Sequence, residues 1–108
     1  MNPELEEGNV EYKLKLLNKT EFRIEKLASQ MAYRCNEGNS ECIYNLGVSD
    51  EGELIGINEI EYKETLENLK KAAKINDYSI LEILKTQVKK SDKYIYELLI
   101  RENNIKKY

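Results

Sequence analysis

At 108 residues, 41% hydrophobic and 34% charged with a formal net charge of −3, the chain is too apolar for a disordered segment and fits one compact domain spanning residues 1–108. Its apolar runs are too interrupted for a membrane span of about 20 residues. The acidic start, Met-Asn-Pro-Glu-Leu-Glu-Glu, lacks the basic and apolar stretches of a secretory signal, so a cytoplasmic location is expected.

Residues 1–8 read as an extended acidic lead-in, with Pro3 opposing a helix and Gly8 marking a turn. Over residues 10–16, Val10, Tyr12, Leu14 and Leu16 alternate with Glu11, Lys13 and Lys15, which predicts a strand with the apolar set on the core side. Asn18 or Thr20 can cap a helix that carries Phe22, Ile24, Leu27, Ala28, Met31 and Cys35 inward and stops at Gly38. Gln30, Tyr33 and Arg34 project elsewhere on that helix and are freer to meet a partner.

Residues 41–57 read as a β-hairpin at the centre of one sheet. Cys42, Tyr44, Leu46 and Val48 alternate in the first arm, Ser49-Asp50-Glu51-Gly52 forms the turn, and Leu54, Ile55 and Ile57 resume the apolar pattern. Asn58 then caps a second helix over residues 59–75, with Ile60, Tyr62, Leu66, Leu69, Ala72 and Ala73 giving its apolar face. Lys70, Lys71 and Lys74 suit the negative end of that helix.

Residues 78–88 mix helical spacing with strand-forming residues and are assigned to a strand, and residues 94–101 to a clearer final strand. Lys89-Lys90-Ser91-Asp92-Lys93 connects the two, and residues 103–108 form a polar tail. The predicted order is β-α-β-β-α-β-β: an α+β, two-layer domain with a mixed, mostly antiparallel sheet and two helices on one face.

The charge is unevenly placed. Residues 1–53 hold 6 basic and 11 acidic side chains, a balance of −5, whereas residues 85–108 hold 7 basic and 3 acidic, a balance of +4. Attraction to nucleic acid acts over about 8–10 Å, so a local basic end can bind phosphate on an acidic protein. A solvated lysine-rich sheet edge is the plain alternative.

Several chemistries lack their motifs. No glycine precedes a lysine, so there is no P-loop, and neither Gly-x-Ser-x-Gly nor Gly-x-Gly-x-x-Gly occurs. No histidine is present to complete a triad or to join Cys35 and Cys42 in a zinc site. The two cysteines are expected to be reduced thiols, with a redox role or a local disulfide as the alternative. Enzymatic readings rest on carboxylates: Glu6, Glu7 and Glu11 near the first strand, with Lys13 and with Asp50 on the turn, could hold a divalent metal for phosphodiester cleavage.

Three stretches carry a resemblance: Glu6-Glu7-Gly8-Asn9-Val10-Glu11-Tyr12-Lys13-Leu14-Lys15-Leu16; Gln30-Met31-Ala32-Tyr33-Arg34 with Glu37-Gly38; and Ile43-Tyr44-Asn45-Leu46-Gly47-Val48 with Asp50, Gly52 and Gly56. The chain resembles the amino-terminal region of the GTP-binding protein 1 and 2 family of translational GTPases, without the GTPase body. The resemblance implies a connection with ribosomes and tRNA, with no GTP hydrolysis. As a free-standing domain, rich in lysine, asparagine and isoleucine, it is similar to the small dormancy factors of inactive microsporidian ribosomes. The Glu-x-Lys strand and Gly-Val-x-Asp-x-Gly hairpin also resemble the divergent AlbA-like domain of Schlafen proteins, which keeps a nuclease using Glu11, Lys13 and Asp50 as an alternative.

The expected function is therefore a non-enzymatic ribosome-binding factor that occupies a tRNA site or nearby surface and keeps ribosomes inactive. Its expected RNA contacts are Lys85, Lys89, Lys90, Lys93, Arg101, Lys106 and Lys107, with Tyr33 and Arg34 stacking or hydrogen bonding. Ribosomal RNA and ribosomal proteins are the expected partners. No cofactor, metal, nucleotide or membrane is expected, and off the ribosome the chain is expected to be a monomer. A protein adaptor in a translation or RNA-processing complex and a metal-dependent RNase are the alternatives.

Overall fold

The computed structural model describes residues 1–103. Six elements follow in order: β1 (Val10–Lys13), α1 (Glu21–Glu37), β2 (Glu41–Leu46), α2 (Glu59–Asn76), β3 (Tyr78–Gln87) and β4 (Tyr94–Glu102). The strands form one mixed sheet in the order β1-β2-β4-β3. β1 runs parallel to β2, with α1 as the crossover, and the β2–β4 and β3–β4 pairs are antiparallel. The class is the expected α+β, two layers deep.

The helices begin where side chains satisfy their first amides. Thr20, rather than Asn18, caps α1 by accepting from the Arg23 amide at 3.3 Å. Asn58 and Glu61 form a reciprocal capping box at α2, the Asn58 side chain accepting at 2.8 Å and that of Glu61 at 3.1 Å. Both helices cover the sheet face that presents Cys42, Tyr44, Leu46, Tyr96, Leu98 and Ile100. Cys35 and Cys42 are free, buried thiols within this core, their Sγ atoms 2.8 Å apart.

Three expectations are corrected. The second arm of the 41–57 hairpin is not a strand; after Leu46 it contributes only the bridges Val48–Leu54 and Ile57–Tyr94. Gly47 and Gly56 cause this: both have positive φ, and a Cβ on Gly47 would lie 2.9 Å from Gly56 Cα. Phe22 lies outside the core at 62% exposure, because it stands two residues, or about 200°, from the inward Ile24. Ile60, near the start of α2, is likewise exposed.

The third correction concerns β1. Its register pairs Glu11 with the inward-facing Tyr44, so Glu11 points under the helices and Tyr12 to the opposite face. Glu11 is 3% exposed. An apolar residue would be expected there, and only a buried cation explains the exception.

Candidate nucleic-acid interface

That cation is Arg34. It donates from Nε to Glu11 Oε1 at 2.8 Å, from one terminal nitrogen to the Gly8 carbonyl at 2.9 Å, and from the other to the Leu5 carbonyl at 2.8 Å. At 4% exposure its donors are turned to the protein, so it is not the free RNA contact expected from sequence. It ties the lead-in to the domain. Tyr33 is 44% exposed, but its hydroxyl donates to the Glu6 carbonyl at 3.0 Å, leaving the ring as its accessible part.

Glu4 enters the same cluster, and sequence reasoning missed it. Its amide donates to the Asp50 carbonyl at 2.8 Å, and its carboxylate accepts from the Tyr12 amide. Burial raises the Glu4 carboxyl above the usual range, and the neighbouring Glu11 and Asp50 carboxylates raise it further. The expected nuclease residues Glu11, Lys13 and Asp50 thus lie in one region. Glu11, however, is shared between Arg34 and the Lys13 ammonium, the latter at 3.4 Å.

The basic connection between β3 and β4 is built differently. The Val88 amide donates to the Lys93 carbonyl at 2.9 Å. Ser91 Oγ donates to the Val88 carbonyl at 2.6 Å and accepts from the Lys93 amide at 3.1 Å. Lys89 takes φ 52°, a left-handed conformation that costs a side-chain-bearing residue. Gly56 lets the preceding loop lie against this turn, since a Cβ there would stand 2.7 Å from Val88 Cγ2 and 2.9 Å from Lys93 Cβ.

On this fixed turn Lys89, Lys90 and Lys93 are exposed, and none forms an ion pair among the described residues. Lys85 stands beside them on β3 with its ammonium 4.5 Å over the Tyr94 ring and 5.7 Å from that of Tyr96. Residues 85–93 contain four lysines and one acid, Asp92. Arg101 lies seven residues beyond Tyr94 along β4 and pairs with Glu41 at 3.5 Å, away from the turn. Lys106 and Lys107 lie outside the described residues.

Comparison with known proteins matches one part of a larger protein. GTP-binding protein 2 of Mus musculus and of Homo sapiens are each 46% identical to this chain over 71 residues, which is 66% of the chain. The match spans only 12% of each relative's length. It supports the resemblance to the GTP-binding protein 1 and 2 family. No protein-family profile matches the chain, and no solved structure does.

Proposed function

We propose that this protein is a non-enzymatic ribosome-binding factor that occupies a tRNA site or a neighbouring functional surface and keeps ribosomes inactive. The observation that carries the reading is the β3–β4 turn, where an ordered backbone presents Lys89, Lys90 and Lys93 beside Lys85 with no carboxylate paired to them among the described residues. Such a cluster suits the phosphates of rRNA, which position a protein without reading sequence. The likeness to part of GTP-binding protein 2 supports the family resemblance, and a setting in translation is what that resemblance implies. The burial of Glu11 between two cations supports binding rather than metal-assisted cleavage, because a metal ligand needs its charge free.

The test is sucrose-gradient sedimentation of a cell extract at low and high salt, with rRNA integrity followed in the same fractions. The protein should travel with intact monosomes and not with polysomes, and leave them at high salt. Recovery only at the top of both gradients would contradict the proposal.

The edge strand favours a second reading, a protein adaptor. Among the described residues β3 has β4 as its one neighbour, and Leu81, Ile83 and Leu84 on it are 60%, 44% and 56% exposed. Under that reading, binding to a purified protein partner would be insensitive to salt and would fail when Leu81 and Leu84 are replaced by lysine.

A further inference from the structure

The acidic half of the chain contains a hollow lined by cations. Lys13, Lys19, Arg23 and Lys26 line a depression of about 160 Å³ together with Gln30 and the apolar Leu16 and Leu27. Among the described residues no carboxylate lines it. Arg23, Lys26 and Gln30 share one stripe of α1 through their spacing of three and four, whereas Glu25 is turned about 200° from Arg23.

Ion pairs leave most of this group's charge in place, although Lys19 also lines an adjoining hollow with Glu21 and Glu25. Lys13 approaches Glu11 at 3.4 Å, but that carboxylate also holds Arg34 at 2.8 Å, so two cations share one negative charge. Lys19, Arg23 and Lys26 form no ion pair among the described residues; the Lys26 ammonium lies 5.0 Å over the Phe22 ring. Cations converging on one hollow repel each other, and an anion seated among them removes that repulsion.

We propose that this hollow is a phosphate-binding site. The guanidinium of Arg23, the ammonium groups and the Gln30 amide offer several donors to the oxygens of one tetrahedral oxyanion. The hollow's place in the fold joins it to the lysine turn. One row of the sheet pairs Lys13 with Leu46, Leu46 with Tyr96, and Tyr96 with Lys85. The two basic groups therefore lie toward one end of the sheet, with Lys13 and Lys85 about 14 Å apart across three strand spacings. That the phosphate belongs to an RNA backbone rests on the function proposed above; the phosphate chemistry rests on the hollow alone.

The experiment uses the full chain and a variant carrying Arg23→Gln and Lys26→Gln, two exposed positions whose replacement leaves the core intact. Thermal unfolding is followed with inorganic phosphate against chloride at matched ionic strength, and binding to purified ribosomes is measured in parallel. Phosphate stabilises folded proteins generally, so it should raise the wild-type midpoint by several degrees more than that of the variant, and the variant should bind ribosomes about tenfold more weakly. An excess phosphate shift lost in the variant with ribosome binding unchanged supports the site and assigns it to a free phosphate compound. The same loss in a protein that never binds ribosomes supports the site and contradicts the proposed function. A phosphate shift in the wild type no larger than that in the variant overturns the site, whatever the lysine turn does.

Discussion

Arg34 and the lysines of the β3–β4 turn carry the same charge and read alike from sequence as RNA contacts, yet the fold gives them opposite surroundings. Arg34 meets a carboxylate and two backbone carbonyls at 2.8–2.9 Å and is withdrawn from solvent. Lys89, Lys90 and Lys93 stand on a turn whose hydrogen bonds fix the backbone and leave the ammonium groups exposed, with no ion pair among the described residues. A cation's task is set by whether the protein directs acceptors at it, and residue type alone cannot say so.

The largest effect that tests this contrast is on stability. Arg34→Met leaves the buried Glu11 carboxylate with Lys13 alone at 3.4 Å and the Gly8 and Leu5 carbonyls without their donor, and should cost about 3 kcal/mol in urea unfolding, the low end for breaking a buried ion pair. A loss below 1 kcal/mol would show that Arg34 is not the partner that makes Glu11 tolerable. Glu11→Gln weakens the same pair, so loss of a nucleolytic activity in that variant would not identify a catalytic carboxylate.

Replacing Lys89, Lys90 and Lys93 together with glutamate should do the reverse: stability stays within about 0.5 kcal/mol, as at other exposed sites, while ribosome affinity falls about 100-fold at low salt. Unaltered affinity in a pelleting assay would remove the turn from the interface. Lys89→Gly separates the two properties at one position. Relief of the left-handed backbone should stabilise by about 1 kcal/mol while binding weakens a few-fold, and equal stability in urea would mean that the φ of 52° carries no strain.

The smallest effect is at Glu4. Its folded pKa lies above its unfolded one, so ionisation opposes folding; the stability it contributes is complete below the unfolded pKa and is lost as pH rises through the folded value. Glu4→Gln keeps an oxygen for the Tyr12 amide and removes a charge near Glu11. It should gain up to about 0.5 kcal/mol at pH 7, and the gain should vanish below about pH 4, where the wild type is protonated too. A pH-independent difference between the two unfolding curves would reject electrostatics as its cause.

The helices and most strands were legible because their periods are strong and their caps explicit: Thr20 and Asn58 stand where α1 and α2 begin. The face of β1 was not, since alternation assigns Tyr12 inward and only the distant Arg34 makes an inward Glu11 possible. The hairpin misled because Leu54, Ile55 and Ile57 look like a strand, while Gly47 and Gly56 turn the chain out of the sheet. Phe22 and Ile60 show that an apolar residue in a first helical turn can miss the buried stripe.

For the site, the lysine turn was visible as a charge cluster. The hollow was hidden by the −5 balance of residues 1–53, although Arg23, Lys26 and Gln30 at helical spacing were a readable signal. Glu4 gave none, because its contact with β1 depends on how the lead-in folds back.

The most direct test of the account measures the affinity of purified wild-type protein and of the Lys89, Lys90 and Lys93 glutamate variant for purified ribosomes across a series of salt concentrations. Each phosphate contact contributes about 0.7–0.9 to the slope of log affinity against log salt, so the variant's slope should be shallower by about 2. Parallel lines of equal steepness would contradict an interface built on this turn.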